Sequence, residues 1–178
     1  MQALSKNRGR QPVAVQSSHV RQYLSFVLGK DAFAVDILGI KEILQFGELT
    51  EVPLMPPWLR GVINLRGAVV PVIDLAYRLG RGISQEARRS CIVILEVRFG
   101  SQQVDVGVMV DAVSAVIDID AAQIEAAPAL GGSLHTEFIA GIGKLERGFV
   151  IILDIANIFN SNELEALAGM AAQTATAP

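Results

Sequence analysis

Apolar residues in this chain come in runs of strand length, separated by polar or glycine-bearing turns. Tyr23-Leu24-Ser25-Phe26-Val27-Leu28, a turn at Gly29-Lys30-Asp31 and then Ala32-Phe33-Ala34-Val35 predict a β-hairpin. Cys91 to Val97, a turn through Phe99-Gly100-Ser101-Gln102 and Val104 to Val110 predict a second one. The likeness continues beyond the hairpins. Ile37-x-x-Ile40-x-x-Ile43 matches Val110-x-x-Val113-x-x-Val116 at an offset of 73 residues. Gly61-Val62-Ile63-Asn64-Leu65-Arg66-Gly67, leading to Ile73-Asp74-Leu75, matches Gly141-Ile142-Gly143-Lys144-Leu145-Glu146-Arg147-Gly148, leading to Leu153-Asp154-Ile155, at an offset of 80. The chain is therefore an internal repeat. About five short strands per half, punctuated by glycine turns, predict two similar small β-barrels.

Local chemistry refines that outline. Pro71 lacks an N–H, which predicts an edge or a bulge for its strand. Asp74 and Asp154 each precede a short apolar segment, where a carboxylate can accept from the free N–H groups of a first helical turn. Asn160-x-x-Glu163 has the spacing of a capping box and opens a last helix through Leu164, Leu167 and Met170. Residues 1–18 have no apolar periodicity and read as a flexible arm. The folded domain spans 19–160, with a first barrel over about 20–87 and a second over about 88–160; residues 161–178 are a C-terminal helix and flexible tail.

Composition narrows the function. Hydrophobic residues make up 51% of the 178, and mean hydropathy is +0.42, so most strands must be buried. The apolar runs fall far short of the ~20 residues of a spanning helix. No secretory h-region is present and Cys91 is the single cysteine, so a cytoplasmic location is expected. Lys6, Arg8, Arg10 and Arg21 give residues 1–22 four positive charges and no acid; with a net charge of −3, the rest of the chain carries −7. An acidic body with 6% aromatics opposes nucleic-acid binding, a role small barrels often take.

A search for catalytic groups finds none that converge. There is no G-x-S-x-G elbow, and before Gly143-Lys144 a phosphate loop would need glycine where Phe138 stands. His19 and His135 lack zinc spacing, Asp118, Asp120 and Glu125 lack the pattern of a calcium loop, and Cys91 reads as a core thiol. No cofactor or metal is expected. One charged pair stands out: Arg66 at the tip of a tight turn between apolar strands, and Glu42 between Ile40 and Ile43. As an orienting pair they would mark a binding groove.

The run Gly61-Val62-Ile63-Asn64-Leu65-Arg66-Gly67-Ala68-Val69-Val70-Pro71-Val72-Ile73-Asp74-Leu75 resembles the signature of CheW-type chemotaxis coupling proteins. The hairpin through Phe33-Ala34-Val35-Asp36-Ile37, the segments Ile40-Lys41-Glu42-Ile43 and Val110 to Val116, and the stretch from Leu134 to Ile155 extend the resemblance to residues 20–160. It implies an all-β fold of two five-stranded, SH3-like barrels. It implies a non-enzymatic adaptor linking the cytoplasmic tip of transmembrane chemoreceptors to the regulatory domain of the chemotaxis histidine kinase, in membrane-associated arrays whose rings can hold other coupling proteins. An adaptor of a pilus-motility or other chemosensory-like pathway is the alternative within that class. Carried over by position, the receptor groove comprises Ile40, Glu42, Ile43 and Arg66 on one wall and Val113 and Val116, beside the strand of Cys91, on the other. If these residues line a groove, Val113→Asp should leave the fold largely intact.

Overall fold

The computed structural model describes residues 19–127 and 136–173; the arm expected over 1–18 and the last residues of the tail, 174–178, lie outside them. Eleven strands occur among the described residues: β1 (Val20–Leu28), β2 (Asp31–Asp36), β3 (Ile40–Gln45), β4 (Leu59–Leu65), β5 (Ala68–Asp74), β6 (Cys91–Phe99), β7 (Gln102–Val110), β8 (Ala112–Asp120), β9 (Ile124–Glu125), β10 (Ile139–Leu145) and β11 (Gly148–Leu153). Helix α1 (Leu75–Arg78) follows β5, and α2 (Ser161–Gln173) closes the described chain. Both expected hairpins form, β1 with β2 and β6 with β7.

The strands make two sheets, β3-β6-β7-β5-β4 (barrel I) and β8-β1-β2-β11-β10-β9 (barrel II). In barrel II the end strands β8 and β9 are joined by one 3₁₀ turn, Ala121–Gln123, so a single bent strand forms both edges and the sheet closes on itself. Barrel I closes where Thr50 and Val62 exchange two backbone hydrogen bonds of 2.8 and 2.9 Å. Glycine permits both closures. A Cβ on Gly61 would collide with the carbonyl of Thr50, and one on Gly141, its counterpart at the 80-residue offset, would lie 2.5 Å from Ile124 Cγ2.

Barrel membership departs from the expected division at residue 87. The β1–β2 hairpin of the first half lies in barrel II and the β6–β7 hairpin of the second half lies in barrel I. The cause is in the links. A two-residue loop is the shortest common return for an antiparallel neighbour, and only Asp111 separates β7 from β8. The chain therefore passes into the other sheet. Asp111 fixes the crossing, accepting from the N–H of Gly29 at 2.6 Å and donating its own N–H to the carbonyl of Val27 at 3.1 Å. Arg81 grips the same hairpin tip, with Asp31 at 2.6 Å and the Phe33 ring at 5.0 Å.

Exchange also explains why the strands are apolar on both faces. Along β6, Ile92 and Ile94 point into barrel I with Val70, Val72 and Met109, while Val93, Leu95 and Val97 point into a core between the barrels. Along β1, Tyr23 faces the interior of barrel II with Ala34, Ile119 and Val150, while Leu24, Phe26 and Leu28 enter the same junction core. Three cores result, and the junction is the largest. Helix α2 covers one side of it with Leu164 and Leu167. Its capping box is complete: Asn160 N–H donates to Glu163 Oε2 at 3.0 Å and Glu163 N–H to Asn160 Oδ1 at 2.9 Å. Arg78 ties α2 to barrel I, reaching Glu163 at 2.6 Å and the carbonyl of Ile158 at 2.7 Å, with its guanidinium over the rings of Trp58 and Phe159.

Two local expectations change. Strand β5 is interior, between β7 and β4, so of the two places expected for Pro71 the edge does not hold, whereas the β4–β5 pairing beside it does carry a bulge, between Leu59 and Gly61. The missing N–H of Pro71 costs nothing, because Val62 opposite turns both of its backbone groups to Thr50 and the pairing of β5 with β7 begins only at Val72. The two aspartates also differ. Asp74 caps α1 by accepting from Tyr77 N–H at 3.1 Å; fully buried, it takes two further hydrogen bonds of 2.8 Å from Ser84 and has Arg60 at 3.9 Å. Asp154 makes no side-chain cap to the turn that follows it and instead accepts from the Asn157 side-chain amide at 3.0 Å. Asp74→Ala should therefore lower stability by about 2–3 kcal/mol, leaving buried donors unpaired. Asp154→Ala should change it by under about 1 kcal/mol. Paired urea denaturation curves check the contrast.

Candidate functional site

Residues directly opposite on antiparallel strands share a face. Ile40 lies opposite Leu95 and Ile43 opposite Val93, on β6; Val113 lies opposite Phe26 and Val116 opposite Leu24, on β1. All four of these partners belong to the junction core. The four predicted apolar residues thus carry that core outward on β3 and β8, the corresponding strands of the two barrels. Ile40 and Val113 are half-buried against it, whereas Ile43 and Val116 are 43% and 50% exposed. Substitution of Val113 consequently strikes packing as well as surface. Cys91, opposite Gln45 and Val110, is half-buried against the same core, with its thiol 3.4 Å from the carbonyl of Arg89.

The predicted charge pair forms. Arg66 Nη2 donates to Glu42 Oε1 at 3.0 Å, joining the β4–β5 turn to β3 across the seam of barrel I. Arg66 is held at φ 53°, followed by Gly67 at φ 85°, with Gly67 N–H bonded to Asn64 Oδ1 at 2.9 Å. A left-handed conformation costs a non-glycine residue about 1–2 kcal/mol. The repeat supplies an internal control. Offsets of 80 and 73 map Arg66 to Glu146 and Glu42 to Ala115, which cannot pair, and the β10–β11 turn places its positive φ on Gly148. Barrel II therefore folds without the pair, so the fold itself does not require it.

Beside Glu42, Lys41 reaches Asp105 at 2.8 Å and Glu96 at 3.4 Å, and Arg98 reaches Glu96 at 3.0 Å. The hydrogen bond to Asp105 raises the Lys41 pKa, and the hydrogen bond from Arg98, then that from Lys41, lowers that of Glu96. The Glu96 contribution to stability is present above the ordinary carboxylate range and fades as pH falls through it; that of Lys41 fades as pH rises past the lysine range. This cluster is structural across neutral pH.

Sequence reasoning missed a cleft of about 640 Å³ at the junction, whose walls include Tyr23, Val35, Leu95 and Val97. None of the seven predicted residues lines it, although Ile40 pairs with Leu95 at its edge. Leu38, 88% exposed at its rim, was the available signal: an apolar residue off the strand period, beside Gly39. Among the described residues no group of acidic, histidine or cysteine side chains is arranged to hold a metal ion.

A family model described as "CheW-like domain" matches residues 22–163. Among curated proteins, the chain is 34% identical over 145 residues to the chemotaxis protein CheW of Klebsiella aerogenes, covering 81% of this chain and 84% of that one. It is 34% identical over 146 residues to the probable chemotaxis protein CheW of Rhizobium etli, covering 82% and 92%. Among solved structures, the scaffolding protein TtCheW from Thermoanaerobacter tengcongensis superposes with a TM-score of 0.70 at 34% identity, covering 80% of this chain and 94% of that chain.

Proposed function

The chain belongs to the family of CheW-like domains, and from that premise we propose that it is a chemotaxis adaptor that couples chemoreceptors to their histidine kinase. It works by binding rather than by chemistry. The cytoplasmic tip of a receptor, a helical hairpin, lies against the stripe formed by Ile40, Ile43, Val113 and Val116; Arg66 and Glu42 set its register, and Cys91 supports the wall from behind. Apolar side chains at i, i+3, i+4 and i+7 of a helix suit a stripe of this kind, and a few placed charges fix orientation.

The observation that carries this reading is the asymmetry of the repeat. A strained turn arginine paired with Glu42 occurs in one barrel and has no counterpart in the other. Backbone strain retained where the fold does not need it points to use. The regulatory domain of the kinase meets the barrel ends, so one adaptor can hold both partners. Among the described residues no helix is long and apolar enough to cross a membrane; recruitment to receptor arrays at the membrane follows from the receptor contact. Added to receptor and kinase in a reconstituted array, the protein should raise kinase autophosphorylation several-fold. An array whose kinase activity is the same with and without it would overturn the adaptor reading.

A further inference from the structure

Strand β1 runs past its neighbour. Its register with β2 ends at Tyr23 opposite Asp36, where the chain enters the 3₁₀ turn Ile37–Gly39, while its register with β8 continues to Val20. Residues 20–22 therefore have a partner strand on one side only. In an antiparallel ladder, successive residues direct their backbone groups to opposite neighbours. The two-residue turn at Gly29-Lys30 makes Leu28 and Asp31 a hydrogen-bonded pair, so Leu28, Phe26 and Leu24 bond to β2, and Gln22 and Val20 point the same way. The carbonyls of Val27 and His19 obey the alternation, accepting on the other side from the N–H groups of Asp111 and Ala121. Among the described residues, nothing on the β2 side pairs with the backbone N–H and C=O of Val20 and Gln22.

The space on that side is the junction cleft, which Arg21 and Asp36 line from β1 and β2. It touches both faces of the sheet: Tyr23 and Ile152 belong to the interior of barrel II, Val35 and Leu153 to the junction core. The cleft is thus a gap in the sheet itself, where β2 stops between β1 and β11. Strands two places apart in a sheet are separated by about 9–10 Å, so the gap admits one extended segment.

The chain carries a segment that fits. Residues 1–18 contain Val13-Ala14-Val15, their longest apolar run, preceded by Pro12 and followed by Gln16-Ser17-Ser18-His19. A loop of four residues, 16–19, is a common hairpin connection and would set Val15 opposite Val20 and Val13 opposite Gln22. Both valines would then share the face of Leu24 and turn toward the junction core. Pro12 would fall where β2 takes over beside β1, and a residue with no N–H to offer a ladder suits the end of a strand. Charge agrees, since residues 1–18 carry Lys6, Arg8 and Arg10 and no acid, whereas the rest of the chain has a net charge of −6.

We propose that residues 13–15 fold back on β1 as a short added strand, which pairs with Val20 and Gln22 and fills the cleft. The strap closes a sheet edge that would otherwise be open to a strand from another molecule. Neither the receptor nor the kinase enters into this contact.

Hydrogen exchange followed amide by amide in the full chain tests the strap. The amides of Val20 and Gln22 should be protected, and the double substitution Val13→Asp with Val15→Asp should speed their exchange at least about tenfold. The amides of Arg21 and Tyr23, which bond to β8, should be unchanged, and those of Leu24 and Phe26 report that the fold is intact. Unprotected Val20 and Gln22 in the unaltered protein, beside a protected Arg21, would overturn the proposal. Protection that survives the double substitution would overturn it as well. Protection that grows with protein concentration, together with a dimer in sedimentation, would replace the strap by a second copy paired edge to edge.

Discussion

Residues 19–87 produced alone should be unfolded, residues 88–173 alone should be unfolded, and an equimolar mixture should recover the β-sheet signal. Each piece carries hairpins whose lateral partners are in the other. Without the second half, β3 loses β6, β5 loses β7, β1 loses β8 and β2 loses β11. The junction core is split as well, because Leu24, Phe26 and Leu28 pack there with Val93, Leu95 and Val106. A two-stranded hairpin without a covering layer is marginal at best in water. The single tryptophan provides the measurement. Trp58 belongs to the first half but packs on Phe159 of the second, so its emission should be that of an exposed indole in the fragment and shift to the blue on mixing. A cooperative unfolding transition in the isolated 19–87 fragment would show that the exchange of hairpins does not hold the fold together. For the intact chain the same argument predicts one thermal transition rather than two.

That exchange is where the sequence stops being legible, and the reason is symmetry. The repeat shows that Val72 corresponds to Ile152 and Ala34 to Gly107. Val72 pairs with Gly107 and Ile152 with Ala34. Pairing within a half would set Val72 against Ala34 and Ile152 against Gly107, again a branched apolar residue against a small one, so the hydrophobic pattern is equally satisfied by either arrangement. Only the connections discriminate, and the single residue between β7 and β8 is a three-dimensional constraint that periodicity does not register. The edge position expected for Pro71 failed for a related reason. An interior strand tolerates proline when the neighbouring residue, Val62, spends its backbone groups elsewhere, and that required the position of Thr50. The caps were legible at Asp74 and in the Asn160–Glu163 box, and failed at Asp154, whose carboxylate takes the Asn157 side-chain amide instead of a backbone N–H. Of the site, the Arg66–Glu42 pair could be read from an arginine at a hairpin tip and an acid interrupting an apolar segment. The cleft was legible only at Leu38, an apolar residue off the strand period; its other walls come from strands that the exchanged pairing brings together.

Val116→Asp and Ile43→Asp should leave the protein folded and reduce receptor-tip binding by more than ~100-fold, since a carboxylate buried without a partner in the complex costs about 3 kcal/mol or more. Both residues already stand in water in the free protein, so the charge is solvated until the ligand arrives. Val113→Asp should behave differently from the expectation that it spares the fold. Val113 packs against the junction core opposite Phe26, and a carboxylate there should lower stability by about 2–4 kcal/mol before any ligand is added. The pair of charges gives the graded case. The Arg66 side chain is 77% exposed and that of Glu42 27%, so Arg66→Ala should change stability by less than about 1 kcal/mol. Receptor binding should fall by about 5- to 30-fold, the loss of one charge-assisted hydrogen bond at a partly shielded site. A double-mutant cycle separates the two duties of the arginine. If Arg66 serves only to close the seam of barrel I, Arg66→Ala and Glu42→Ala will show full coupling in urea unfolding and none in receptor titrations. If it orients the ligand, the coupling will appear in the titration, with the regulatory domain of the kinase binding all these folded variants as it binds the unaltered protein. Equal loss of both partners, or loss of neither, would sink the separation of the receptor stripe from the kinase surface.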